Sequence, residues 1–182
     1  HLRFTDEELL KIELGSADLD KRILAQPDEP IRLLVIGQVS AGKSTVINRL
    51  AGGAVAETDM APTTHDLTRH TLEIAGMAYS VIDSQGIDSS EMVAAKLLAQ
   101  VLECDQVLWI LRANRPARAP DVALLRQIEA AFAARPLRRM PPVTIVANAV
   151  DQLLPDWPFP EHLLPREAQA TIAAASAAIC AD

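Results

Sequence analysis

The sequence predicts an α/β domain of three layers: a mostly parallel sheet with one antiparallel edge strand, and helices on both faces. Short apolar runs, typical of buried parallel strands, alternate along the chain with segments that repeat apolar residues at helical spacing. Two β-rich runs joined by a turn at Gly76 predict a hairpin, which supplies the antiparallel edge strand. Several polar sequences directly follow predicted strands, and ligands of such folds bind at the carboxyl ends of the strands.

The elements follow one another in a regular order. Strands are predicted at 31–36, 66–75, 79–82, 106–111 and 143–147. Helices are predicted at 43–51, around 93–102, around 122–132 and over 164–179. In the third helix the apolar stripe is expected to consist of Val122, Leu125, Ile128 and Phe132. Residues 54–66, with a proline in the middle, have the composition of a loop.

The first 30 residues differ from the rest. Thr5-Asp-Glu-Glu8 is a capping-box pattern that predicts a helix start, and the proline-containing stretch Gln26–Pro30 ends the helical pattern. We therefore expect a helical extension over residues 1–30 and the main domain over residues 31–182.

Composition excludes some functions. The chain has 182 residues and a net charge of −7, with no concentrated basic surface of the kind that binds nucleic acid. Cys104 and Cys180 lie in apolar helical patterns, which indicates reduced thiols and a cytoplasmic location. No apolar run approaches the roughly 20 residues that span a bilayer, so membrane attachment would need segments outside this chain. His65 and His70 lack the spacing of a metal site.

Residues 37–44, GQVSAGKS, match the phosphate-binding pattern G-x-x-x-x-G-K-[ST] between a predicted strand and a predicted helix. The glycines allow backbone amides to converge on phosphate oxygens, Lys43 would reach the phosphates, and the Ser44 hydroxyl would bind Mg²⁺. The residues predicted to hold the nucleotide here are Gly37, Gln38, Ser40, Ala41, Gly42, Lys43, Ser44 and Thr45.

Two further elements would complete the Mg²⁺ and γ-phosphate site. Asp83 ends a buried strand and can hold Mg²⁺ through water, and Gly86 lets its backbone N–H approach the γ-phosphate. In the preceding loop, Thr63 or Thr64 could close over Mg²⁺ and the γ-phosphate, and the sequence does not choose between the two.

After the last predicted strand comes Asn148-Ala-Val-Asp151, an N-x-x-D element. With the phosphate loop, the threonine pair and D-x-x-G in this order, the sequence resembles the translation-factor-related class of P-loop GTPases. It is most similar to their Era-like and bacterial dynamin-like group. The resemblance implies a conformational switch that hydrolyses GTP to GDP and phosphate with Mg²⁺. By this resemblance, Asp151 would accept hydrogen bonds from guanine and Asn148 would brace the loop, while Lys43, Thr63, Thr64 and Gly86 would act in hydrolysis.

The chain departs from the family pattern at several positions. Ala149 replaces a lysine that stacks over the base, so we expect looser binding with guanine still preferred. Ile87 stands where some relatives place a water-positioning glutamine. Ser40 occupies a position that lies beside a monovalent cation in related GTPases, which raises K⁺ or Na⁺ dependence and a nucleotide-dependent homodimer as hypotheses.

The end of the chain also departs from the family pattern. Ser176 fits a helical stripe rather than a base-contacting loop, so we expect the usual last strand to be missing. These departures leave a nucleotide-binding module with negligible hydrolysis as an alternative, and a P-loop ATPase as a third.

Overall fold

The computed structural model describes residue 25 and residues 29–52, 68–87, 90–115, 117–135, 137–154 and 164–181. The described strands are β1 (Ile31–Ile36), β2 (Thr68–Ile74), β3 (Met77–Asp83), β4 (Gln106–Arg112) and β5 (Val143–Asn148). The helices are α1 (Lys43–Leu50), α2 (Glu91–Glu103), α3 (Ala119–Ala133) and α4 (Arg166–Ala181), with a 3₁₀ turn at Val150–Leu153. The described elements follow the order predicted for residues 31–182.

The five strands form one sheet in the order β2-β3-β1-β4-β5. Strand β1 pairs in parallel with β3 on one side and β4 on the other, and β5 pairs in parallel with β4. Only the hairpin strands β2 and β3 are antiparallel among the described strands. The predicted mixed sheet is therefore confirmed, and β1, from which the phosphate loop emerges, lies at its centre.

Helices cover both faces of the sheet. Leu34 and Ile36 of β1 pack in a cluster with residues of α2 and α3 and with Ile179 of α4. Leu33 and Val35 point to the other face, where Ile47 of α1 completes a second cluster. This alternation along β1 follows from the period of two in a strand, and both faces are apolar because both are covered.

The predicted apolar stripe of α3 was confirmed in part. Ile128 and Phe132 are buried, and Leu125 is partly buried and packs against the same core cluster. The buried Leu124 was not predicted, and Val122 is only partly buried. Asp121 is also buried, because its carboxylate accepts the indole N–H of Trp109 at 2.8 Å. A pattern of apolar residues alone could not place a buried aspartate on this helix face.

Some predictions fall on residues that the structure leaves undescribed. Of the extension predicted over residues 1–30, residues 1–24 and 26–28 lie outside the described ranges, as does the loop with Thr63, Thr64 and His65. In the described part of the chain, β5 is an edge of a five-stranded sheet. Ser176 lies inside α4, where its hydroxyl donates to the Ile172 carbonyl at 2.9 Å, as a helical serine does.

The amino edge of the sheet contains an ion pair that joins β1 to the start of β4. The Asp105 carboxylate accepts bonds from the Arg32 guanidinium at 2.8 and 2.9 Å, from the Arg32 backbone at 2.8 Å and from the Ala25 backbone at 2.9 Å. Burial alone would raise the pKa of Asp105, but the hydrogen bonds from Arg32 outweigh it and hold that pKa below its ordinary value. This pair stabilises the edge opposite the candidate site.

Among the described helices, none combines the length and the apolarity that crossing a membrane requires.

Candidate functional site

The phosphate loop leaves the centre of the sheet at β1 and enters α1. Gly42, the N-cap of α1, has a φ of 92°, and a Cβ there would lie 2.2 Å from Nδ2 of Asn148. The Lys43 ammonium curls back into the loop and donates to the carbonyls of Gly37 at 3.2 Å and Gln38 at 3.4 Å. Burial lowers the pKa of Lys43, and Asp83 partly opposes the shift. The loop thus presents a partly desolvated cation beside a helix N-terminus, an arrangement that favours an anion such as phosphate.

The metal residues predicted from the sequence are adjacent in the structure. The Ser44 hydroxyl donates to Oδ2 of Asp83 at 2.8 Å. The other carboxylate oxygen of Asp83, Oδ1, is buried and makes no hydrogen bond within the described residues. Hydroxyl and carboxylate oxygens are the donors that Mg²⁺ prefers, and Mg²⁺ sites of this kind use few protein ligands together with phosphates. The donor set therefore fits Mg²⁺, although no group of three or more His, Cys, Asp or Glu side chains gathers in the described ranges.

The D-x-x-G segment lies against the phosphate loop. Ile87 forms an isolated parallel bridge with Gln38, and its backbone N–H donates to the Gly37 carbonyl at 3.0 Å. A Cβ at Gly86 would lie 2.6 Å from Cγ2 and 2.8 Å from the backbone nitrogen of Val39, so a side chain at Gly86 would force the segment away from the loop. Ile87 is buried and Gln85 is exposed. The position after Gly86 therefore carries an apolar side chain packed into the fold.

The N-x-x-D segment follows β5 and contacts the phosphate loop from the other side. Nδ2 of Asn148 donates to the Ala41 carbonyl at 2.8 Å. Ala149 has a left-handed backbone with a φ of 58°, and the 3₁₀ turn that carries Asp151 begins at the next residue. The Asp151 side chain is exposed, so its carboxylate is accessible to a ligand.

The threonines predicted to close the site, Thr63 and Thr64, lie outside the described residues. Thr45, also predicted to bind the nucleotide, lies exposed in the first turn of α1. The structure therefore brings together the phosphate-loop residues, the Asp83–Gly86 segment and the Asn148–Asp151 segment.

Nothing in the sequence indicated the side-chain bonds that connect the phosphate loop to β4 and α3. Nε2 of Gln38 donates to the Ala117 carbonyl at 2.7 Å and to Oδ2 of Asp121 at 2.5 Å. Because Asp121 also accepts from Trp109, one buried carboxylate connects the loop to β4 and α3. Gln38, predicted to bind nucleotide, keeps its backbone in the loop while its side chain points to this anchor.

Arg112, the last residue of β4, is the other residue that was missed. Its guanidinium donates to the Ser40 carbonyl at 3.1 Å, to Oε1 of Gln152 and to Oδ1 of Asn114 at 3.2 Å. The available signal was a charged residue directly after the predicted strand 106–111, at the carboxyl end of the sheet where ligands bind.

A central-strand phosphate loop, an adjacent serine–aspartate pair and an N-x-x-D loop braced on the phosphate loop together define a P-loop nucleotide-binding domain of the GTPase type. The chain belongs to the 50S ribosome-binding GTPase family, because the sequence model of that family matches residues 32–149. The chain is thus a GTPase domain of the translation-factor-related class.

The chain is also similar to individual members of this class. It is 33% identical over 129 residues to the tRNA modification GTPase MnmE of Haemophilus influenzae, covering 68% of this chain and 27% of that protein. It is 32% identical over 124 residues to the GTPase Der of Helicobacter hepaticus, covering 65% of this chain and 24% of that protein. The chain thus spans about a quarter of the length of these relatives.

A solved structure extends the likeness to the fold. The crystal structure of Toc33 from Arabidopsis thaliana in complex with Mg²⁺ and GMPPNP matches with a TM-score of 0.55 at 14% identity. The match covers 97% of this chain and 69% of the Toc33 chain. At this identity the likeness supports the fold alone.

Proposed function

We propose that this domain binds GTP, hydrolyses it slowly to GDP and phosphate, and acts as a conformational switch. The observation that carries the proposal is the 2.8 Å bond from Asn148 to Ala41, which joins the predicted base-reading loop to the phosphate loop. A ligand that occupied both segments would need a polyphosphate at one end and a base at the other.

The chain's own residues would divide the work. Lys43 and the loop amides would neutralise phosphate charge, and the Lys43 ammonium would exchange its carbonyl partners for phosphate oxygens. Gly86 would offer its backbone N–H to the γ-phosphate, since its lack of a side chain permits the close approach to Val39. Asp151 would accept from guanine N1 and the 2-amino group, a donor pair that adenine lacks.

Ser44 and Asp83 would hold Mg²⁺, with Thr63 or Thr64 as a further ligand once the loop closes. When bound, this ion would neutralise charge shared by the β- and γ-phosphates. The buried Oδ1 of Asp83 supports this assignment, because a buried carboxylate oxygen without a hydrogen bond is costly unless a cation compensates it.

Slow hydrolysis is the expectation from Ile87, whose buried apolar side chain cannot orient an attacking water. We propose that the missing polar group comes from a monovalent cation beside Ser40, K⁺ or Na⁺, or from a second protomer in a nucleotide-dependent homodimer. Two exposed apolar side chains support the dimer: Val39 on the phosphate loop is 58% exposed and Met92 in the first turn of α2 is 67% exposed.

Location in the cytoplasm, or at the cytoplasmic face of a membrane through segments outside this chain, is likewise a proposal.

The first experiment is competition of GTP and ATP for a fluorescent guanine nucleotide. GTP should displace the probe at much lower concentration than ATP, and Asp151→Ala should reduce that difference. Displacement by ATP at the lower concentration would reject the assignment of Asp151 and favour an ATPase.

The alternative is a nucleotide-binding module with negligible hydrolysis, which the buried Ile87 specifically favours. Single-turnover phosphate release separates the two, with Lys43→Ala as the inactive control. Release in K⁺ faster than in that control supports the switch, and release no faster supports the module. Equal rates in K⁺, Na⁺ and a bulky organic cation would reject cation assistance.

A further inference from the structure

Arg112 connects the two halves of the nucleotide site. Strand β4 lies between β1 and β5, so its last residue emerges between the phosphate loop and the N-x-x-D loop. The Arg112 guanidinium donates to the Ser40 carbonyl in the phosphate loop at 3.1 Å and to the Gln152 side chain in the 3₁₀ turn. The guanidinium group is planar and its N–H donors point in fixed directions, so one arginine can bond to partners on two different segments.

The contact to the 3₁₀ turn is reinforced by Asn114, which lies two residues beyond the end of β4. Asn114 accepts from Nε of Arg112 at 3.2 Å and donates to Oε1 of Gln152 at 2.7 Å. The backbone N–H of Gln152 donates to the Ala149 carbonyl at 3.1 Å, so a fixed Gln152 fixes the turn around Asp151. Ala149 itself has only a methyl group, which can make no hydrogen bond to the phosphate loop.

Both connected segments adopt backbone conformations that need support. Ser40 has a φ of 62° and Ala149 a φ of 58°, which for residues other than glycine costs about 1–2 kcal/mol each. A conformation of this kind persists only when neighbouring contacts hold it in place. The bond from Arg112 to Ser40 and the bonds through Gln152 to the turn supply such contacts on both sides.

We propose that Arg112 is a positioning residue that fixes the spacing between the phosphate loop and the base-reading turn and thereby sets the affinity for guanine nucleotides. The inference rests on the proposed function, because a nucleoside polyphosphate is the ligand that touches both segments. If both segments are already held in place, less free energy is lost in ordering them when a ligand binds. The resulting increase in affinity is largest for a ligand that contacts both segments.

The test compares two ligands on the full chain: a fluorescent GDP analogue, which spans both segments, and inorganic pyrophosphate, measured by its competition with that analogue. For Arg112→Ala we expect the dissociation constant of the GDP analogue to rise about tenfold, mostly through faster dissociation. The dissociation constant of pyrophosphate should change less than twofold. A mere loss of positive charge would instead weaken both ligands, and pyrophosphate at least as much.

The matched control is Arg115→Ala, which removes the same charge from an exposed arginine three residues further on. It should leave both ligands within twofold of the unmodified chain. Gln152→Ala should weaken the GDP analogue about fivefold, and the double variant Arg112→Ala/Gln152→Ala should bind it within twofold of Arg112→Ala alone. Gln152 is exposed, so this variant tests the link without disturbing the core.

Three results would overturn the inference while leaving the proposed function intact. They are equal effects of the Arg112 and Arg115 substitutions, multiplying losses in the double variant, and parallel weakening of GDP analogue and pyrophosphate. If the unmodified chain fails to bind the GDP analogue, or if Lys43→Ala binds it equally well, the proposed function itself fails and the inference falls with it.

Discussion

The two halves of the proposed nucleotide site, the phosphate loop and the N-x-x-D loop proposed to read the base, are built in different ways. The phosphate loop follows β1, whose Val35 and Ile36 are fully buried at the centre of the sheet. Its path requires two glycines at positive φ, in addition to side-chain bonds at Gln38 and Ser40. The base-reading loop follows β5, an edge of the described sheet, where Ile145 is 49% exposed. The second half is held mainly by side-chain bonds: its own Asn148 donates to the Ala41 carbonyl, and Arg112 of β4 donates to Gln152.

This difference predicts which half is more sensitive to substitution. A backbone cradle requires glycine at fixed positions, because a Cβ at Gly37 or Gly42 would lie within 2.3 Å of a neighbouring atom. A loop held by side chains depends less on any single backbone position, because the bond can come from a different strand. In this chain Ala149 offers only a methyl group, and the turn that follows it is bonded through Gln152 to Arg112 of β4.

The largest expected effect concerns the phosphate half. Lys43→Ala should weaken GTP and GDP binding by more than 100-fold, about 3 kcal/mol, because it removes a charge-assisted bond to the phosphates in a partly desolvated loop. Titration with a fluorescent guanine nucleotide measures it. Without nucleotide, the variant should be no less stable than the unmodified chain in thermal unfolding. Burial lowers the pKa of Lys43, which means that its charged form is destabilised in the folded state and its removal costs no stability.

The control is Lys96→Ala, at an exposed position on α2, which should leave nucleotide affinity unchanged. If Lys43→Ala loses less than threefold, then the phosphate half does not dominate binding and the contrast between the halves is lost.

The next effect tests the contact between the halves. Gly42→Ala should reduce the free energy of unfolding by about 2–3 kcal/mol, because the new Cβ would lie 2.2 Å from Nδ2 of Asn148 at a φ of 92°. Gly52→Ala is the matched control, since its φ of 74° carries the same kind of backbone strain with nothing within 4 Å. The difference between the two in denaturant unfolding isolates the collision, and equal losses would show that Asn148 moves away freely.

A third effect separates stability from nucleotide binding. Asp105→Asn should reduce the free energy of unfolding by about 1–2 kcal/mol at neutral pH, because it breaks the ion pair with Arg32 at the edge opposite the site. Nucleotide affinity should stay within twofold. A parallel loss of affinity would mean that the two edges of the sheet are coupled.

The same pair predicts a pH dependence with a defined sign. The pKa of Asp105 lies below its ordinary value of 3.8, so its contribution is complete above that pH. The contribution disappears as pH falls through the lowered pKa, when the carboxyl is protonated in the folded state too. The stability difference between the unmodified chain and Asp105→Asn, followed by denaturant unfolding, should therefore shrink below pH 3.8 and remain constant between pH 5 and 8.

The fold was predictable from the sequence to a greater extent than the contacts of the site. Strands such as β1 and β4 are covered on both faces, so their apolar runs and the motifs that end them identified the sheet. The roles of Asp121 and Arg112 were not predictable, because a polar residue gives no periodic signal and their bonds to Gln38, Ser40 and Gln152 join residues 40 to 83 positions apart in the chain. Long-range side-chain bonds depend on the register of strands, which local patterns do not contain.

The smallest expected effect concerns the base-reading half and its strained alanine. Ala149→Gly should increase the free energy of unfolding by about 0.5–1 kcal/mol, because glycine adopts the φ of 58° without steric cost while the unfolded chain gains some freedom. If Arg112 and Gln152 hold the turn, nucleotide affinity should change less than twofold, as a fluorescence titration would show. A loss of more than fivefold would mean that the alanine side chain itself restricts the turn. Without the bonds to Arg112 and Gln152, the added backbone freedom of Ala149→Gly should weaken nucleotide binding. An unchanged affinity would therefore show that these side chains, and not the backbone of residue 149, keep the turn ordered.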